Sequence, residues 1–317
     1  MADPNLRPDW VNAEPIWKTL SGHRYAWLDD YLPLIGEETI QRISRKVETL
    51  AGLEVQFINS TKQGGGVAEI LRSLVPLMNG VGIRAHWTSI TGPPSFYDAT
   101  KTIHNLLQGL DGELDGSARK HYEETVAANA AVIDLKSDVV VVHDPQPLPL
   151  IRHRNGHRRW IWRCHLDLST PNRGILDYLL PMVGDYDGAV FTLREYALAA
   201  AVPTSFIMPA IDPFTLKNRP LDDAEARARL KQYGIPDDRP IVTQISRFDP
   251  WKDPAGLIEA CRLARREIDF TLVLLGNFAS DDPEGMRIYE QLLAYQDERT
   301  RILVDGDDPL LVNALQG

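Results

Sequence analysis

The chain has little with which to cross-link itself or to hold nucleic acid. It carries two cysteines in 317 residues, Cys164 and Cys261, far apart in sequence. A pair so placed makes neither a disulfide framework nor a zinc ribbon, and points to a reducing cytoplasm. Basic residues are in deficit, 34 Lys and Arg against 44 Asp and Glu, for a net charge of -10. That balance argues against a nucleic-acid or anionic-membrane binder, though it permits a local basic pocket. No apolar run approaches the roughly 20 residues that span a bilayer. The opening "MADPNLRPDW" lacks the basic and apolar regions of a signal peptide. Internal repeats and low-complexity tracts are absent too. What remains is an ordinary composition, 44% hydrophobic and 25% charged, at a length that suggests about two domains.

The pattern of what is present is alternation. Residues 1–35, rich in Pro, Trp and Tyr, read as an irregular arm. Residues 36–50 read as a helix, with Ile40, Ile43, Val47 and Leu50 at helical spacing. "LEVQFINS" is short, β-branched and aromatic, a strand. After it, Val67, Ile70, Leu71, Leu74, Val75 and Met78 line one helical face, and Pro76 should kink or loosen the last turn. "IRAHWTSI" is a strand, and "ATKTIHNLLQGL" and "HYEETVAANAAVI" are helices. "SDVVVVHD" has the unbroken valines of a strand buried on both faces. "WIWRCHLDL" and "GAVFTL" are strands, separated by the helix "ILDYLLPMV". Such alternation implies an α/β fold with a mainly parallel sheet and helices on both faces. The proline-rich "PAIDPFTLKNRPLDD" reads as a connection between a first unit, 36–212, and a second, 213–317. The second unit has three clear strands, "PIVTQISRF", "FTLVLLGNF" and "RILVD", which is few for a domain of this type.

Three constellations carry chemistry. In "NSTKQGGGVAEIL", Gly64, Gly65 and Gly66 sit between a strand and a helix. A helix N-terminus offers free N–H groups and partial positive charge to an anion, and glycine lets a ligand approach the backbone. This is neither G-x-G-x-x-G nor a P-loop, so spacing alone leaves a tight turn and a ligand loop both open. In "VVVVHDPQPLPL", His143 and Asp144 follow a buried strand, where open parallel sheets bind ligands. The alternative is a loop start capped by Asp144. His165 and Asp167 end "WIWRCHLDL" in the same way, with a plain loop the stronger reading there. In "SRFDPWKDPAG", Arg247 and Lys252 precede a helix that Asp253 can cap and Pro254 can begin. Two cations at a strand's carboxyl end suit a diphosphate, against the alternative of a solvated charged loop. "HRNGH" spaces His153 and His157 as in a zinc helix, but Asn155-Gly156 breaks helices and no carboxylate stands where a zinc protease needs its base. "RHRNGHRRW" is one basic patch, more a surface loop than a nucleic-acid site.

In this order, "NSTKQGGGVAEIL", "VVVVHDPQPLPLI", "WIWRCHLDLSTPN", "YDGAVFTLREY" and "QISRFDPWKDPAGLIEA" resemble the blocks of retaining GT-B glycosyltransferases of the trehalose synthase and trehalose phosphorylase kind. The resemblance runs from about residue 35 to the last. It implies two facing Rossmann-like domains with parallel sheets and a site in the cleft. It implies transfer of glucose from UDP-, ADP- or GDP-glucose to glucose, giving trehalose, with no cofactor and no metal. Carried over by position, Gly64, Gly65, Gly66 and Gly276 would approach the donor. Arg247 and Lys252 would hold its diphosphate and stabilise the leaving group, a major electrostatic role in such transfers. His143 would contact the transferring sugar, with Asp144, Gln146 and Asp167 on the sugar side.

The resemblance also implies a second domain continuing beyond "VNALQ" to a pair of glutamates that grip the donor. The chain ends at Gly317, so the expectations are an incomplete second unit, impaired transferase activity and an exposed sheet edge favouring self-association. The alternatives are a trehalose phosphorylase and a non-catalytic sugar or nucleotide binder of the same family.

Overall fold

The computed structural model describes residues 27–63, 65–199, 202–236, 238–278 and 284–317. Two separate parallel sheets organise them. The first is built from β1 (Glu54–Asn59), β2 (Arg84–Ser89), β3 (Val139–His143), β4 (Arg159–Arg163), β5 (Gly188–Phe191) and β6 (Thr204–Phe206). Their order is β2-β1-β3-β4-β5-β6, and every pairing is parallel. The helices α1 (Leu32–Thr49), α2 (Gly66–Gly80), α3 (Pro94–Leu107), α4 (Gly116–Ala130) and α5 (Arg173–Gly184) connect or flank them.

The valine run is central, as its composition requires. Val55 to Ile58 of β1 lie opposite Val139 to Val142 of β3. Val140 and Val142 enter one core cluster with Phe96, Tyr122, Trp160 and Trp162. Val139 and Val141 pack on the other face against Val55, Phe57 and Leu71. Alternate residues thus feed two cores, each fully buried valine contributing about 2 kcal/mol of apolar burial.

The second sheet has β7 (Ile241–Ile245), β8 (Thr271–Gly276) and β9 (Thr300–Val304) in the order β7-β8-β9, all parallel. Four helices follow its strands or lead into them: α6 (Asp223–Gln232), α7 (Pro254–Ala264), α8 (Gly285–Leu292) and α9 (Pro309–Gln316). Central β8 is buried at every residue. Its Val273 and Leu275 pack with Leu230 of α6 and Leu311, Val312 and Leu315 of α9. Leu272 and Leu274 pack on the other side with Ile258 and Cys261 of α7 and Leu292 of α8.

Three details differ from the sequence reading. The first helix begins at Leu32, within the expected arm, and is interrupted at Gly36 (φ 74°). The left-handed backbone there needs glycine, so the kink marks where the regular helix starts. Residues 1–26 of the arm lie outside the described residues. Pro76, expected to kink or loosen the last turn of α2, lies inside a helix that runs on to Gly80, and Asn79 anchors that turn: its amide donates to the Val75 and Ala85 carbonyls and its side-chain oxygen accepts from the Ala85 N–H. Exposed apolar side chains gather not only on the second unit but at the end of edge strand β6 and just after it, at Phe206, Ile207, Met208 and Ile211. No helix among the described residues is long and apolar enough to cross a membrane.

Candidate active site

The carboxyl end of β3 gathers buried polar groups. His143 is 2% exposed, and its Nδ1 lies 3.0 Å from Nε2 of His165, which follows β4. Burial, then the neighbouring His165 and the Arg163 charge, hold His143 well below the ordinary histidine range. Burial and Arg163 bring His165 down to about 4. Both rings are therefore neutral at pH 7, and the contact joins one donor nitrogen to one acceptor. A neutral His143 can act by hydrogen bonding but not as a cation. Its Nε2 is buried and has no hydrogen-bond partner in the protein, and neither has Gln146 Oε1.

Asp144 holds this corner in place. Its backbone is left-handed (φ 62°), a conformation that costs a non-glycine residue about 1–3 kcal/mol and persists only when neighbours enforce it. The enforcement comes from the β4 segment. The Asp144 N–H donates to the Arg163 carbonyl at 2.8 Å, and its carbonyl accepts from Trp162 Nε1 at 3.0 Å. Its carboxylate accepts from the His165 N–H at 2.7 Å. Tyr122 of α4 donates to the Pro145 carbonyl, and the chain then passes into the 3-10 turn Leu148–His153, buried from Leu148 to Ile151. Asp144 therefore ties two strand ends together and caps no helix. Asp167 stays apart: it is exposed, and its carboxylate closes a local turn on the Ser169 N–H.

The corresponding loop of the second unit follows β7. Arg247 is half-buried, with Nη2 3.8 Å from the carboxylate of Asp249. Lys252 is exposed and ends a 3-10 turn, Pro250–Lys252, and its carbonyl accepts from Gln244 Nε2 at 2.7 Å. Asp253 caps α7 by accepting from the Gly256 N–H, as its position before Pro254 suggests. Gly276, at the end of β8, is used by the protein itself. A Cβ there would stand 2.7 Å from the Ser246 carbonyl oxygen and from the Phe248 ring, so glycine admits the Arg247 loop.

Helix α3 carries a further imidazole. His104 of that helix is largely buried, with Nδ1 lacking a hydrogen-bond partner. Burial and Lys101 depress it most, Asp144 of the first unit pulls the other way, and Arg247 of the second depresses it further. The Arg247 loop reaches this helix directly, with Asp249 on Lys101 and Trp251 on Asn105. Sequence reasoning passed over Lys101, His104 and Asn105, because their spacing reads as an ordinary polar helix face.

Gly65 and Gly66 open α2, with Gly65 extended (φ 170°) and neither at a positive φ in the left-handed region. A Cβ on either would meet nothing within 4 Å. Neither turn geometry nor internal packing asks for glycine at these positions. Gly64 lies outside the described residues. The start of α2 also reaches the inter-unit connection, where Lys217 Nζ pairs with Glu69 at 2.8 Å. Among the described residues no cluster of His, Cys, Asp or Glu is arranged to hold a metal.

Two α/β units with parallel sheets in one chain match the GT-B glycosyltransferase fold. A solved trehalose-6-phosphate enzyme of E. coli, bound with UDP-2-fluoro glucose, superposes with a TM-score of 0.59 over 82% of this chain and 75% of that one, at 14% identity. The family profile described as trehalose synthase, N-terminal domain, matches residues 57–198. The trehalose synthase of Rubrobacter xylanophilus is 43% identical over 284 residues, covering 86% of this chain and 68% of that protein. The trehalose phosphorylase of Pleurotus pulmonarius is 23% identical, covering 84% of this chain and 43% of that protein. The chain belongs to the trehalose synthase family, and spans about two thirds of the length of the trehalose synthases it matches.

Proposed function

We propose that this chain forms the acceptor-side unit and the diphosphate-binding arm of an enzyme that transfers glucose from a nucleoside-diphosphate glucose to glucose, making trehalose with the anomeric configuration retained. The observation that carries the reading is the pair of buried polar atoms without protein partners at the end of β3, His143 Nε2 and Gln146 Oε1. In the proposed chemistry, Arg247 and Lys252 receive the diphosphate and offset the charge that develops as the sugar–phosphate bond breaks. Two cationic side chains serve where other transferases use a metal. His143 Nε2 and Gln146 Oε1, buried and without protein partners, meet sugar hydroxyls. Gly65 and Gly66 leave room for the donor at the start of α2. The neighbour holding a UDP-sugar supports a nucleotide donor. The reaction runs in the cytoplasm, where Cys164 and Cys261 stay thiols.

Calorimetric titration with UDP, ADP and GDP, followed by incubation of the matching nucleotide-glucose with glucose, tests this. Binding of one nucleotide with release of trehalose is the expected result. Arg247→Ala should weaken that nucleotide by about tenfold to a hundredfold, the scale of a lost charge-assisted contact. Absence of both binding and product overturns the reading. The similarity to trehalose phosphorylases favours one alternative, in which trehalose and phosphate yield glucose 1-phosphate. Feeding those two substrates separates the cases.

A further inference from the structure

The cationic loop after β7 is held from outside its own unit. Lys101 Nζ of α3 lies 2.9 Å from Asp249 Oδ2 and 3.5 Å from Glu284 Oε2. The Lys101 and Asp249 side chains are only 9% and 3% exposed. One helical turn on, Asn105 Oδ1 accepts from Trp251 Nε1 at 3.0 Å. The Asp249 carboxylate also accepts from the Trp251 backbone N–H at 2.8 Å and stands 3.8 Å from Arg247 Nη2. One buried carboxylate therefore joins a cation of the first unit, the backbone of the loop and the arginine of the second. Such a pair is a poor source of net stability, since desolvation offsets most of the Coulomb gain. Its geometric effect is larger. It fixes where the loop sits against α3.

We propose that Lys101 is a positioning residue: acting through Asp249, it sets the Arg247–Lys252 segment against the first unit, so that a nucleoside diphosphate meets both cations in register with the His143 corner. The identity of that ligand rests on the glycosyl-transfer reading above, while the coupling across the units rests on the contacts alone. With Lys101 removed, Arg247 becomes the counter-charge for Asp249, and the loop loses its charged tether to α3 while the Trp251–Asn105 bond stays.

Two measurements on Lys101→Met, Lys101→Arg, Asp249→Asn and the Met/Asn double variant of the whole chain test the proposal. The first is amide exchange at Trp251, Lys252 and Asp253, whose N–H groups bond to Asp249 and Pro250 within the loop. Lys101→Met should speed it by about tenfold or more, with the β3 amides unchanged. The second is affinity for UDP, ADP and GDP, which should fall about tenfold in Lys101→Met and return in Lys101→Arg. The double variant should be no weaker than Asp249→Asn alone. Unchanged loop exchange in a folded Lys101→Met overturns the proposal. So does faster exchange with undiminished nucleotide affinity, because the pair would then be structural only. If the unmodified chain binds no nucleotide, the glycosyl-transfer reading falls, and loop exchange still decides whether Lys101 couples the units. Should Lys101→Met fail to fold, Lys101→Gln gives the same comparison.

Discussion

The two units each end a strand near glycine, for opposite reasons. After β1, a Cβ on Gly65 or Gly66 would meet nothing within 4 Å, and neither residue has a left-handed backbone. After β8, a Cβ on Gly276 would collide with the Ser246 carbonyl and the Phe248 ring. The protein's own packing demands the second glycine and is indifferent to the first pair. The aspartates repeat the contrast. Asp144 and Asp253 are the non-glycine residues with positive φ among the described residues, and each precedes a proline. Asp253 caps α7, a structural task. Asp144 caps nothing and instead holds the backbone of His165. Strain kept without a helix to begin, beside unpartnered buried polar atoms, is the mark of a pre-organised site.

The comparison can be broken most directly at Gly276. Gly276→Ala should destabilise the second unit by about 2–3 kcal/mol, because one clashing atom is backbone and cannot rotate away. Denaturant melts would measure it, and a neutral result would remove the packing argument.

Acid should separate the units next. His143 and His165 are both depressed in the folded state, His165 to about 4. Their contribution is fully present above the ordinary histidine value near 6.5 and is lost as pH falls below it, for His165 over the span down to about 4. At His165 this loss amounts to about 3 kcal/mol at most. A His165→Gln variant should flatten that part of the stability–pH curve. Asp249 behaves differently. Burial alone would raise its pKa, but the hydrogen bonds from Lys101 and the Trp251 N–H, with the Lys101 and Arg247 charges, hold it below its ordinary 3.8. Its contribution is present above 3.8 and is lost only as pH falls through the lower folded value. Asp249→Asn should remove that later step and leave the earlier one.

The smallest stability effect belongs to Gly66→Ala. The backbone there is helical and open, so stability should hold or rise by about 0.5–1 kcal/mol, while nucleotide binding falls. A clear loss of stability would mean that the turn, and not a ligand, requires glycine.

Much of the fold was legible along the chain. The valines of β3, the helical face from Val67 to Met78 and the Asp253–Pro254 start of α7 are local signals, and each element lies where its period placed it. Element ends were less legible. Gly36 interrupts one helical segment by its left-handed backbone, and Asn79 anchors the last turn of another through Val75 and Ala85, neither of which the apolar period encodes. The site divided the same way. His143, Asp144, Arg247 and Lys252 stand after strands, where parallel sheets present their loops. Lys101 could not be singled out, since its meaning comes from a partner 148 residues away.

By itself, the sequence determined the alternation of strands and helices, the division into two sheets and the residues at their carboxyl ends. Those are products of local periodicity and short-range turn chemistry. Only the tertiary structure decided which glycine serves packing, that His143 is buried neutral against His165, and that one lysine of the first unit is bound to the loop carrying Arg247. Burial and long-range pairing set those properties, and neither exists until both sheets have folded and met across α3.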